Sequence, residues 1–354
     1  MVRSTKKAPI VPADRKQAFN KGLRKLKESS PDVVGRIVPE LYDPSGNVKP
    51  DQIIPGDSLE LLNAAKPGWA DLCFADPPFN IGYLYNGYED EKPAEQYVHW
   101  STDWMKAVHR ALKDNGSFYL AIGDEYAAEL CVAAKSVGFN LRNWIVWHYT
   151  FGQQPKQKFA RSHTHILYFV KDEKNFTFNA DAIRVPSARQ LIYNDKRASK
   201  KGKIPDDTWY LRPQEAQGDL FNQDDDVWFE SRLCGTFKER EGWHGCQMPL
   251  AVLERIVKVS SNPGDVVLDP FNGSGTTVVA SALLGRKYVG LEQNEEYVGF
   301  ARRRLAAALE EHGEGNDSID ISKAAPTGRA SKVETETDAL GRKRVPRRKA
   351  KVAG

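Results

Sequence analysis

Two short stretches of this 354-residue sequence carry residue types that could do chemistry together. The first is Asp76-Pro77-Pro78-Phe79-Asn80, directly after the apolar run Leu72-Cys73-Phe74-Ala75. Two successive prolines continue neither a sheet nor a helix. They make a rigid turn that fixes the Asp76 carboxylate, the Pro77 carbonyl and the Phe79 ring relative to one another. Such acceptors beside an aromatic face match a nucleobase bearing an exocyclic amine, whose N–H groups need acceptors and whose flat ring can stack. The second stretch is Asp269-Pro270-Phe271-Asn272-Gly273-Ser274-Gly275-Thr276-Thr277, with Glu292 following at the end of the next apolar run. Glycines let a backbone pass close to a bound group, and an acid about twenty residues on can accept hydrogen bonds from ribose hydroxyls. Val278 stands where a dinucleotide fingerprint would have its third glycine, so the loop reads as a site for a nucleoside-type cofactor. At this level each stretch keeps a plain alternative: a strand-end turn with a capping aromatic, and a glycine turn between strand and helix.

The surrounding pattern tells which elements hold these residues. Ile53-Ile54 reads as a strand, Leu59 to Ala65 as a helix and Leu72 to Ala75 as a strand. Tyr97, Trp100, Trp104, Val108 and Leu112 recur at helical spacing after Pro93, and Lys113-Asp114-Asn115-Gly116 ends that helix. A strand (Ser117 to Ile122), a helix (Asp124 to Val137) and a strand (Asn143 to Trp147) follow, and His165 to Val170 reads as another strand. From roughly 172 to 240 the chain is polar with isolated aromatics and reads as an insertion. The alternation then resumes: helix Leu250 to Val259, strand Val266 to Leu268, helix Thr276 to Leu284, strand Tyr288 to Leu291, helix Glu296 to Leu309. The expected fold class is α/β, a mostly parallel sheet with helices on both faces, built from both sides of the insertion.

Charge is unevenly spread. Residues 1–30 carry +7 and residues 323–354 another +7, which leaves −10 for the middle of a chain whose net charge is +4. Basic arms on an acidic body suit contact with a polyanion by the arms, while charged termini that only aid solubility are the simpler alternative. Phe19, Leu23 and Leu26 suggest a short amphipathic helix in the first arm, and the composition beyond His312 suggests a disordered tail. Within the insertion Arg184, Arg189, Lys196, Arg197, Lys200, Lys201 and Lys203 cluster against one acid, Asp195, and form a candidate phosphate-binding set. Asp224-Asp225-Asp226 repels phosphate and is expected to face away from it. No stretch approaches the roughly 18 to 20 apolar residues of a spanning helix, and the first ten residues lack an apolar signal core, so a cytoplasmic, nucleoid-associated setting is expected. Four scattered cysteines form no CxxC pair, and Cys234, His244 and Cys246 lack a suitably spaced fourth ligand, so no metal is expected. Ser162, His163 and His165 sit in an ordinary strand entry and suggest no hydrolytic triad.

The paired stretches resemble the hallmarks of the bacterial DNA amino-methyltransferases: an Asp-Pro-Pro-aromatic catalytic motif at Asp76 to Phe79 and a Phe-x-Gly-x-Gly cofactor loop at Phe271 to Gly275. The catalytic motif precedes the loop, with a long region between, which is similar to the circularly permuted β class. The resemblance covers roughly Gln52 to Leu309 and implies a Rossmann-like methyltransferase fold with an inserted target-recognition region. The implied division is an N-terminal basic arm (1–50), a catalytic half (51–171), the recognition insertion (172–242), a cofactor half (243–312) and a basic tail (313–354). The implied catalytic residues are Asp76, Pro77, Pro78 and Phe79, and the implied cofactor is S-adenosyl-L-methionine, held by Asp57, Gln247, Asp269, Phe271, Gly273, Gly275, Thr276 and Glu292. Gly56-Asp57 matches the family's Gly-Asp element. His244 to Pro249 keeps only the His, Gln and final Pro of a His-Pro-Thr-Gln-Lys-Pro element, so only Gln247 is carried over. The implied reaction is methyl transfer to the exocyclic amine of a flipped base in double-stranded DNA, adenine N6 first. Cytosine N4 transfer and a silent DNA-binding protein of the same fold are the alternatives. A homodimer and a cognate restriction endonuclease are the further candidate partners.

The charge distribution generates a first prediction. Deleting residues 323–354 weakens affinity for DNA and flattens its dependence on salt, measured as the slope of log K against log salt, without changing which base is modified.

Overall fold

The computed structural model describes residues 41–85, 88–149, 155–185, 187, 195–209 and 247–312, with two short pieces at 336–337 and 343–344. The amphipathic stretch at Phe19 to Leu26, Arg189, the acidic run at Asp224 to Asp226, Cys234, His244, Cys246 and nearly all of both basic arms lie outside those residues.

The elements run β1 (Gln52–Pro55), α1 (Ser58–Ala64), β2 (Ala70–Ala75), a small hairpin of β3 (Leu84–Tyr85) and β4 (Tyr88–Glu89), α2 (Ala94–Ala111), β5 (Leu112–Ile122), α3 (Ala127–Val137), β6 (Asn140–His148) and β7 (His163–Val170). After the insertion, which contributes β8 (Thr208–Trp209), come α4 (Leu250–Ser260), β9 (Val266–Asp269), α5 (Thr276–Leu283), β10 (Lys287–Glu292) and α6 (Glu295–His312). The main sheet has the order β1-β10-β9-β2-β5-β7-β6-β8. Among these, β7 alone runs against its neighbours. The described residues between β6 and β7 contain no helix, and a direct return reverses direction, whereas a helical crossover does not. One face of the sheet is covered by α4, α5 and α6, packed on Leu72, Phe74, Tyr119 and Ile166. The other is covered by α1, α2 and α3, packed on Cys73, Phe118, Leu120 and Leu268. The alternation of neighbouring strand residues between these two faces is the expected mark of a sheet buried on both sides.

Strands β2 and β9 are parallel neighbours, with Leu72 opposite Val267 and Cys73 opposite Leu268. From this pair the chain leaves in opposite directions, β2 through α2 to β5 and β9 through α5 to β10. Diverging crossovers open a crevice at the carboxyl ends of the two strands, the usual ligand site of such sheets. Asp71 pins the place: its carboxylate accepts from Val266 N at 2.9 Å and from Lys113 Nζ at 2.8 Å, joining β2, β9 and β5.

One expected boundary differs. Lys113 to Gly116 does not separate helix from strand. β5 begins at Leu112, opposite Ala70, and regains register at Ser117, opposite Leu72, so the four residues bulge inside the strand pairing. Ion pairing of Lys113 to Asp71 and the backbone bonds of Gly68 and Trp69 to Arg110 and Ala111 hold both sides of the bulge. The first part of the insertion is stitched to the body. Asn179 donates through Nδ2 to the Lys258 and Ser261 carbonyls at 3.1 and 2.9 Å, and Phe176 packs against the core.

On β10, Gly290 faces the buried Asn272 side chain, and an added Cβ would stand 2.8 Å from Asn272 Cγ and 3.0 Å from Val278 Cγ2. Gly290→Ala therefore displaces the loop above it. A loss of about 1–3 kcal/mol is expected, read as a lowered midpoint in urea.

Candidate active site

The residues after β2 and those after β9 line one cavity of about 610 Å3. Of the sequence candidates, Asp57, Asp76, Pro78, Phe79, Gln247, Asp269, Phe271, Gly273, Thr276 and Glu292 all contribute to its wall. Pro77 is buried in the turn, and Gly275 sits behind the loop. With φ at 78°, Gly275 starts α5, and its missing side chain lets the Ala301 methyl of α6 close in.

The catalytic turn is held from below. Tyr97 Oη donates to the Pro78 carbonyl at 2.7 Å, so that acceptor is occupied by the fold. Among the described residues no donor reaches the carbonyl of Pro77. Asn80 adopts φ 56°, a left-handed conformation that asparagine tolerates better than most residues. Its amide fixes it there: Nδ2 donates to the Lys92 carbonyl at 2.8 Å and to Tyr126 Oη at 2.9 Å, while Oδ1 accepts from Lys92 N at 2.6 Å. The buried Asp90 carboxylate accepts from the backbone N–H groups of Asn80, Ile81 and Tyr83 at 2.8, 3.1 and 3.0 Å. Burial pushes the Asp90 carboxyl above its ordinary range, and those three donors oppose the shift. The Phe79 ring rests against Gly123 at the end of β5, where a Cβ would come within 3.3 Å of Phe79 Cδ2.

The loop after β9 wraps an acidic pair. Glu292 accepts Gly273 N through Oε2 and Asn294 N through Oε1, both at 2.9 Å. A carboxylate has further acceptor sites, so this one is fixed in place and still able to bind hydroxyls. Asp269 accepts Phe271 N at 3.0 Å. Burial first, and then the charge of Glu292, push its carboxyl up to about 7. Phe271 lies between Trp100 and Trp104 of α2, with centroids 5.8 and 5.1 Å away, which ties the loop to the catalytic half. Asp57 caps α1 by accepting from Leu59 N and Glu60 N, and Ser58 Oγ donates to the Pro270 carbonyl. A glycine loop at φ 47° and 78°, an anchored acid at the next strand end and a wall of carboxylates fit a nucleoside cofactor that also carries positive charge.

The far wall of the cavity is Trp147, Tyr149, Arg161, His163 and Thr164, from β6, β7 and their connection. Sequence reasoning did not single out these residues as site members, nor Asp90, Tyr97 and Gly123. Gly123 had a partial signal, a glycine directly after the apolar run ending at Ile122. The others became site residues only through the antiparallel return of β7 and the packing of α2.

Among the described residues, no basic residue of the insertion lines the cavity. Arg184 and Lys201 both pair with Asp181, at 2.6 and 3.0 Å, Arg197 pairs with Asp195 at 3.0 Å, and Lys203 pairs with Asp206 at 2.7 Å. Lys196 and Lys200 are exposed. Among the described residues no group of three or more side chains is arranged to hold a metal ion, and no helix is long and apolar enough to cross a membrane.

Comparison with known proteins agrees with this geometry. Residues 70–303 match the DNA methylase family of N6 and N4 methyltransferases. The DNA adenine methyltransferase YhdJ of Escherichia coli (strain K12) is 35% identical over 288 residues, 79% of this chain and 90% of that protein. The type II methyltransferase M.HpaI of Haemophilus parainfluenzae is 31% identical over 270 residues, 76% of this chain and 77% of that one. Among solved structures, the cytosine-N4-specific PvuII DNA methyltransferase shares the fold with a TM-score of 0.52 at 20% identity, over 78% of this chain and 99% of that chain. With the catalytic turn and the glycine loop opening into one cavity inside the matched region, the chain belongs to the N6/N4 DNA methylase family.

Proposed function

We propose that this protein is a site-specific DNA methyltransferase that uses S-adenosyl-L-methionine to methylate adenine N6 in double-stranded DNA. The observation that carries the reading is the junction of β2 and β9, which brings the Asp76 turn and the Asp269 to Thr276 loop into one cavity. The name of the E. coli relative supports adenine over cytosine N4. The reading takes the cytoplasm, at chromosomal DNA, as its setting. On the names of the type II relatives it includes a cognate restriction endonuclease. A homodimer is part of it on the family resemblance alone.

Within this reading Glu292, Asp269, Gly273, Phe271, Thr276, Asp57 and Gln247 hold the cofactor, with Gly275 shaping the loop. When bound, S-adenosyl-L-methionine supplies an electrophilic methyl group on a sulfonium. The protein's task is to make a poor nucleophile attack it, because the amine lone pair is delocalised into the base. The Asp76 carboxylate and the Pro77 carbonyl accept the two amine hydrogens, which favours a pyramidal nitrogen and stabilises the positive charge that grows there. Tyr97 keeps the Pro78 carbonyl out of that competition. Phe79, backed by Gly123, stacks on the base. A base inside a duplex cannot reach such a pocket and must first leave the stack, at a cost of a few kcal/mol.

The test is to incubate the purified protein with cofactor and unmethylated bacterial genomic DNA, digest to nucleosides and identify the products by mass spectrometry. N6-methyladenine is expected, with turnover lowered roughly 10²-fold or more in Asp76→Ala while cofactor still binds. N4-methylcytosine would replace the base and keep the chemistry; no methylated nucleoside from a cofactor-binding protein would leave the silent DNA-binding fold. A second expectation concerns pH. Asp269, held protonated up to about 7, must ionise to favour a cation beside it, so cofactor binding releases a proton on the acid side of that value. Affinity by calorimetry should rise as the pH is raised from about 5.5 to about 7.5 and then level off. Asp269→Asn should flatten that rise.

A further inference from the structure

At the cavity's far rim, the connection into β7 presents Phe159 to solvent with 99% of its surface accessible, the most exposed large apolar side chain among the described residues. Every residue from Lys156 to Ala160 is exposed, and Lys156 and Lys158 put positive charge on the chain just before the ring. This segment is anchored and does not simply project from the body. Arg161, itself on the cavity wall, pairs with Asp124 at 2.6 Å and with Glu125. Those acids directly follow Gly123, the glycine that backs the Phe79 ring. The Tyr149 N–H donates to the Ser162 carbonyl at 2.8 Å and Tyr149 Oη to the His163 carbonyl at 3.0 Å, so the base of the segment is fixed to β6. Two residues of extended chain span at most about 7 Å, so the Arg161 anchor keeps Phe159 at the mouth of the cavity that Arg161 lines.

A fully exposed phenyl ring preceded by two exposed lysines, tied to the wall that carries the base-stacking ring, has the chemistry of a side chain that enters a base stack. Pulling one base into the cavity leaves an apolar gap of about one base thickness between its former neighbours. A flat hydrocarbon ring fills that gap, and the ammonium groups just before it in the chain meet the adjoining phosphates. We propose that Phe159 is the wedge that occupies the gap left in the duplex by the target base, positioned by the Arg161 bridge to Asp124 and Glu125. The proposal rests on the methyltransferase reading and adds to it a residue that acts on duplex opening and not on methyl transfer.

The experiment takes the recognition site from genomic DNA methylated by the wild-type protein and builds it into two oligonucleotide duplexes. In one the target base is normally paired; in the other it faces an abasic position and is already unpaired. Phe159→Ala is expected to methylate the paired duplex about tenfold more slowly or worse, and the unpaired duplex within about twofold of wild type. Phe159→Leu should fall between, and 2-aminopurine at the target position should lose its flipping-dependent fluorescence with Phe159→Ala. Equal losses on both duplexes would assign Phe159 a structural or chemical role and overturn the wedge, as would full activity of both variants on paired DNA. A wild-type protein that methylates neither duplex nor genomic DNA would overturn the methyltransferase reading itself, and the wedge with it.

Discussion

The parallel pairing of β2 with β9 is the constraint on which the site depends. Its short register, Leu72 to Val267 and Cys73 to Leu268, sets two chain segments from opposite halves of the sequence side by side. Each strand ends where its chemistry begins, β2 at Ala75 before Asp76 and β9 at Asp269. The order in which the motifs occur along the chain then loses its importance, because the sheet and not the sequence makes them neighbours. Asp71 reinforces the junction with a side chain rather than a ladder bond, taking Val266 N and Lys113 Nζ at once. Phe271, lodged against Trp100 and Trp104, repeats the junction above the sheet.

The catalytic turn gains its rigidity from polar groups that the chemistry itself never uses. Asp90 gathers the N–H donors of Asn80, Ile81 and Tyr83 in the loop after Phe79, Asn80 clamps Lys92 and Tyr126, and Tyr97 takes the Pro78 carbonyl. A buried carboxylate with three charge-assisted hydrogen bonds is costly to leave unpaired, so the loop has one favourable arrangement. That is the form preorganisation takes in the proposed mechanism: the acceptors it assigns to the amine are held in place beforehand.

Much of this was legible in the sequence, and what was not has identifiable causes. The alternation from Ile53 to Trp147 and from Leu250 to Leu309 appears as written, because strands buried on both faces and amphipathic helices have distinct periods. The catalytic turn and the glycine loop were legible because prolines and glycines act through local backbone geometry. Three features depended on tertiary contact. The bulge at Lys113 to Gly116 is chain that reads as a turn and is held within a strand by Asp71. The direction of β7 depends on a connection whose described residues form no helix. The basic cluster between Arg184 and Lys203 read as a phosphate-binding set, yet Asp181 and Asp206 answer three of its charges, and both lie outside the span over which that balance was counted.

Asp57, Asp76, Asp269 and Glu292 give the cavity an acidic wall, suited to a cationic cofactor and an amine that becomes positive. The same wall repels phosphate, so a polyanion gains nothing by approaching the cavity except through a single base delivered out of its backbone. Positive charge is available outside the cavity, where Lys156, Lys158, Lys196 and Lys200 are exposed, and along residues 1–30 and 323–354, which carry +7 each. Attracting a phosphate backbone and admitting a cation to an acidic interior need opposite fields in one small protein. An acidic body with basic extremities is the simplest way for one chain to supply both.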